Sequence, residues 1–152
     1  MAARCLSVLF LAFAIASTVA AAAEFRTDKL TIVSDSGEYP FDVELAETSE
    51  QQSRGLMFRR SIGKREGMLF MHKEPRYITM WMRNTYIPLD MIFIRENGKI
   101  HRIEPHTEPF SERIIESGAR VTAVLEVAAG VSQELGLKTG DIVKHEHFHT
   151  AE

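Results

Sequence analysis

Two acidic residues interrupt strongly apolar runs, Asp90 in "IPLDMIFI" and Glu126 in "AVLEV". Strand alternation places Asp90 on one face with Ile92 and Ile94, and Glu126 on one face with Val124. A carboxylate in such a run either faces water from a sheet wetted on one side or is buried and needs a cationic partner. Arg83 and Arg54 are the natural partners, because a guanidinium can hold a carboxylate through two parallel hydrogen bonds. With Trp81, Asn84 and Thr85 from "WMRNTYIPLD", these residues make a candidate ligand-binding set. The arginines would act as clamps and Asn84 would supply both a donor and an acceptor, which suits a small anionic or amide-containing ligand. A closed network that fixes the turn after Trp81 accounts for the same residues without a ligand. Two carboxylates near an arginine could also carry out acid–base hydrolysis if their pKa values were driven apart. Spacing leaves the three readings open, and no residue is assigned a catalytic role.

Softer chemistry is also present. Trp81, the only tryptophan, stands between Met80 and Met82, and Met57, Met68, Met71 and Met91 bring further thioethers. Cu(I) accepts such ligands beside an aromatic ring, but methionine more commonly fills irregular gaps in a core. In "HEHFH", His145, His147 and His149 alternate, so a persisting last strand would put three imidazoles on one face as Zn(II), Cu(II) or Ni(II) ligands. So close to the chain end, a frayed, solvated tail is the plainer expectation. His72, His101 and His106 are isolated and are expected on loops or the surface. Arg59, Arg60, Lys64 and Arg65 concentrate positive charge in "RRSIGKR", which lacks interleaved aromatics and reads as a solvated loop. There is no phosphate loop, dinucleotide fingerprint or nucleophile elbow, and no cofactor is expected.

The elements that must hold these residues begin after residue 23. Arg4, the apolar run from Leu6 to Ala16 and the small-residue stretch "STVAAAA" have the layout of a cleavable secretory signal ending near Ala23. The apolar run is shorter than the roughly 20 residues a spanning helix needs, so no membrane span is expected once it is removed. Without residues 1–23, which carry Arg4 and no acid, 17 basic side chains face 21 acidic ones, a charge of about −4. That balance argues against general nucleic-acid binding, which requires basic area to displace phosphate counterions. Cys5 lies in the signal, so a periplasmic or secreted mature chain has no disulfide, thiol nucleophile or thiolate metal site.

Residues 24–152 read as one domain. "LTIVS" and "PFDVELA" form a hairpin across "DSGEY", and Thr48 with Gln51 has capping-box spacing, predicting a short helix over about 49–57. "GMLFMH" reads as a strand broken by Pro75, and "RYITMWM" as another. "LDMIFIR" and "KIHRIE" flank Asn97-Gly98, the strongest hairpin signal in the chain. A long loop over 105–120, the strand "VTAVLEV", a short helix in "GVSQELG" that Gly136 ends as a C′ cap, and a last strand after Gly140-Asp141 complete the pattern. The expectation is an α+β, β-rich domain: a strongly curved or barrel-like, mostly antiparallel sheet with two short helices. Oligomeric state is not legible.

"RGLMFR" at 54–59, "GMLF" at 67–70, "WMRNTYIPLDMIFI" at 81–94, "VLEV" at 124–127 and "GLKTGDIV" at 136–143 occur in that order. Together they resemble the family known as domain of unknown function 192, or uncharacterised protein family 127. The resemblance covers nearly all of residues 24–152. It implies a small, often exported single-domain protein of bacteria or archaea with a β-rich fold, and no established reaction. The C-terminal histidines fall outside the resemblance.

Overall fold

Alternation decides the first hairpin. β1 (Arg26–Ser34) and β2 (Gly37–Ala46) pair antiparallel from Arg26↔Leu45 to Ser34↔Gly37, and Leu30, Ile32, Phe41, Val43 and Leu45 are buried in one cluster. These contacts belong to the computed structural model of the chain, which describes residues 24–149. The leader expected over residues 1–23 lies outside the described residues. The capping box forms as expected: Thr48 Oγ1 accepts from Gln51 N at 3.2 Å, and Gln51 Oε1 accepts from Thr48 N at 3.0 Å. It starts α1 (Ser49–Arg54), which stops short of residue 57 because Gly55 leaves helical geometry at φ 47°.

α1 is the crossover that lets β2 run parallel to β3 (Glu66–Arg76); the other strand pairs among the described residues are antiparallel. β3 continues through Pro75 instead of breaking there. Its register to β8 (Val121–Ala128) shifts between Met71 and Arg76, and in that irregular stretch the proline nitrogen need not join the ladder. At Gly67 a side chain would be impossible, since a Cβ would sit 2.7 Å from the Glu126 carbonyl oxygen. Beyond Arg76, the last residue of β3, the segment "RYITMWM" keeps only β4 (Thr79–Met80), paired with β7 (Ile115–Glu116) in a separate two-stranded ribbon. Trp81 and Met82 lie beyond it, because a turn opens there: Thr85 N donates to Met82 O at 3.1 Å.

β5 (Leu89–Ile94) and β6 (Ile100–Thr107) form the hairpin at Asn97-Gly98, where Gly98 has φ 75°. The seven-stranded sheet runs β6-β5-β8-β3-β2-β1-β9, with β9 (Ile142–Lys144) on the edge of β1. β9 also reaches the far edge: Val143 N donates to Gly98 O at 2.8 Å, and Lys99 bridges Ile142. The sheet thus curls until its ends meet, giving the expected barrel-like curvature. α2 (Val131–Glu134) ends as anticipated at Gly136, with φ 63°, where Leu137 N bonds back to Ser132 O.

Alternation divides the core in two. Ile92, Ile94, Leu125 and Val127 point inward with Leu30, Phe41 and Leu45. Met68, Phe70, Met91, Phe93 and Val124 point outward and are covered by Leu56, Ile78, Met82, Ile87 and Ile115 from the α1 exit, the ribbon and the turn after it. The outer layer positions the site.

The tail differs from expectation. β9 ends at Lys144, before the histidines, yet Phe148 is 5% exposed and belongs to the inner core. His149 N donates to Glu96 O at 3.0 Å, His147 Nε2 lies 3.2 Å from Thr122 O, and the His145 side chain is buried near Asp28. An aromatic anchor in the inner core therefore keeps the tail from fraying. The three histidines do not share a strand face, and among the described residues no group of three or more His, Cys, Asp or Glu side chains is arranged to hold a metal.

Candidate functional site

Glu126 stands mid-strand in β8 with Met68 of β3 opposite it on one side and Met91 of β5 on the other, both fully buried. Directly opposed residues of antiparallel strands share a face, so the carboxyl projects outward among thioethers. Its side chain is 4% exposed and makes no hydrogen bond within the described residues. Burial pushes its pKa from 4.5 to about 8. At neutral pH the group is therefore a carboxylic acid with an O–H to donate.

That O–H faces a cavity of about 280 Å³. Phe70, His72 and Glu126 rise from the outer face of the sheet; Ser53, Arg54 and Met57 come from α1 and its exit. A strip from Arg76 to Trp81 closes the other side, and Thr85 contributes from the turn. Burial, and then the nearby charges of Arg76 and His147, lower the His72 pKa below 6.5, so its ring is neutral near pH 7. With Glu126 also neutral, the charged side chains that line the cavity are the guanidinium groups of Arg54 and Arg76.

The candidate set from the sequence therefore divides. Arg54, Trp81, Thr85 and Glu126 meet at the cavity; Arg83, Asn84 and Asp90 do not line it. Arg83 stacks over Trp81, 5.6 Å from the ring centroid, and lines a separate hollow of about 210 Å³ with Glu112 and Ile114. Asn84 has φ 57°, a left-handed turn position its side chain tolerates, and its carbonyl accepts from Phe58 N at 2.9 Å.

Asp90 is opposite Val127, so its side chain points inward, away from the face that carries Glu126. It is not paired with an arginine. Its oxygens accept from Ser132 Oγ at 2.6 Å, Ser132 N at 2.9 Å, His106 N at 2.9 Å and Gly130 N at 3.2 Å. Asp90 thus caps the start of α2 and ties it to β6. An Asp90–Glu126 catalytic pair is excluded by the opposite faces. The methionines are packed: Met68, Met82 and Met91 are fully buried in the outer core, and Met82 Sδ accepts from Thr107 Oγ1 at 3.2 Å.

The residues matched by the profile of the DUF192 family, described as "Uncharacterized ACR", are 31–145, nearly all of the described chain. The chain belongs to this family. Among solved structures, a protein from Sinorhizobium meliloti 1021 described as a candidate transcription regulator superposes with a TM-score of 0.80 at 38% identity. The match covers 83% of this chain and 98% of that one. A protein of unknown function from Novosphingobium aromaticivorans DSM 12444 gives a TM-score of 0.79 at 38% identity, covering 82% of this chain and 89% of the other. Among curated proteins no match is found.

For this DUF192 protein the sequence left His72, Arg76, Tyr77 and Phe70 out of the candidate set. A strand over "RYITMWM" would send alternate side chains to opposite faces, which gives no sign that the whole run lines one cavity. "PRYITMW", with an arginine and an aromatic beside a proline, was the available signal.

Proposed function

We propose that this DUF192 protein is an exported, soluble periplasmic binding or accessory domain whose outer-face cavity takes a small anionic or amide-containing ligand. The observation that carries the reading is Glu126: a carboxyl buried beside a cavity with no hydrogen-bond partner of its own among the described residues. A structural acid would be satisfied by its fold, as Asp90 is, whereas Glu126 offers its O–H only to the cavity. Arg54 and Arg76 favour a negative group on the ligand, and Phe70, Met57 and Trp81 supply apolar surface, the usual division of labour in a ligand site. Export is supported by the layout of residues 1–23, and no helix among the described residues is long and apolar enough to cross a membrane. One relative is described as a candidate transcription regulator, but the acidic balance of residues 24–152 disfavours nucleic acid.

Trp81 is the only tryptophan and lines the cavity, so its fluorescence reports occupancy directly. The test is a titration with a panel of small carboxylic acids and amides. Saturable binding by at least one, weakened tenfold or more by Glu126→Leu, is expected. Binding indifferent to that substitution, or no binding across the panel, would refute the reading.

A further inference from the structure

Six consecutive residues, Arg76 to Trp81, line one side of the cavity. Successive side chains of an extended chain point to alternate sides, so an unbroken run lines one cavity only if the chain turns its backbone edge toward it. The ribbon's hydrogen bonding agrees. Ser117 N donates to Ile78 O at 2.9 Å, and Thr79 and Met80 stand opposite Glu116 and Ile115. Residues of an antiparallel ladder alternate between bonding across and facing outward. Ile78 and Met80 are therefore directed at β7, and Thr79 and Trp81 turn their N–H and C=O groups away from it. Among the described residues neither backbone is bonded to another segment.

An open edge of this kind is a template for an extended chain. Arg76, at the start of the strip, forms no ion pair among the described residues, and Arg54 brings a second guanidinium to the same cavity. At about 280 Å³ the cavity holds a side chain and a terminal group, whereas a helix about 10 Å across would not enter it.

We infer that the cavity receives the carboxyl-terminal end of an extended peptide, which adds beside Thr79 and Trp81, sets its carboxylate against Arg76 and lowers its last side chain toward Glu126. The inference rests on the proposed binding role of the cavity and names the ligand class. Backbone pairing would supply affinity without demanding a sequence, and the cavity would select the final residue.

The test uses the full chain, isotope-labelled, with a library of pentapeptides prepared both as free acids and as C-terminal amides. Free acids are expected to change Trp81 fluorescence and to shift the Thr79 and Trp81 amide signals, while amidation weakens binding at least tenfold. Arg76→Ala should weaken the free acids by a similar factor and leave the amides unchanged. Acids and amides binding alike, or binding that leaves the Thr79 and Trp81 amides unmoved, would overturn the inference. If small carboxylic acids bind through Glu126 while no peptide does, the peptide inference falls and the binding role stands. If neither binds, both fall.

Discussion

Asp90 and Glu126 look alike in sequence, each a single acid in an apolar strand, and the fold assigns them opposite roles. Asp90 accepts four hydrogen bonds from α2 and β6, so Asp90→Ala strands several buried donors at once. With hydrogen bonds to a charged group contributing about 1.5–3 kcal/mol each, a loss of at least about 3 kcal/mol is expected in urea unfolding. Glu126 satisfies nothing, so Glu126→Leu should stabilise the fold by about 1–3 kcal/mol, the cost of keeping an unpaired polar group buried. A gain in stability with loss of binding marks a residue kept for a site. Arg83→Ala should cost under about 1 kcal/mol, because its contact with the half-exposed Trp81 is a surface one. Both acids were visible as anomalies from their apolar neighbours. Their partners were not, because Asp90 is satisfied by backbone groups of an element 40 residues away, and backbone donors leave no mark on residue type. Arginine was the only partner that side-chain chemistry could suggest.

Elements were legible where local chemistry specified them and illegible where tertiary contacts overrode it. The Thr48–Gln51 box, the Asn97-Gly98 hairpin and the Gly136 stop depend on a few adjacent residues, and each forms as read. The segment after Pro75 has the pattern of a strand, yet Ser111 O takes the Met82 N–H and Thr85 N bonds back to Met82 O, which turns the chain. That turn brings Thr85 to the cavity lining. Asn84 pins it at φ 57°, so Asn84→Ala should cost about 1 kcal/mol, the penalty for a left-handed L-residue. At the C-terminus, proximity to the chain end suggested fraying, but one aromatic outweighs it. Phe148 is buried in the inner core, and Phe148→Ala should cost about 3 kcal/mol or more, read as a lower urea midpoint at unchanged slope. A truncation after Lys144 that leaves stability intact would contradict the packed tail.

At the scale of the molecule, one curled sheet carries two cores, and the cavity belongs to the outer one, so Glu126 can titrate without entering the inner barrel. The consequence is a pH dependence with a definite sign. The carboxyl has an ordinary value of 4.5 and is raised to about 8 by burial in the fold. Between these values the native chain binds a proton that the unfolded chain has released, so stability falls as pH rises. The contribution is fully present below about 4.5 and lost above about 8, with a slope approaching 1.4 kcal/mol per pH unit between. His72 and His147 act in the opposite direction, since burial lowers both below 6.5 and protonating them destabilises the fold as pH falls. Their effect, and that of His101, which is lowered for the same reason, fades within about one pH unit above 6.5, and because the Glu126→Gln variant keeps all three histidines its difference from the wild type over pH 6.5–8 isolates Glu126. Glu126→Gln keeps the shape of the protonated acid and removes the proton. Urea unfolding across that range should show the wild type losing stability with rising pH relative to the glutamine variant, which should hold level or rise slightly. Parallel curves would mean that the carboxyl ionises freely in the fold, and Glu126 would then enter the cavity as an anion repelling the ligand class assigned to it.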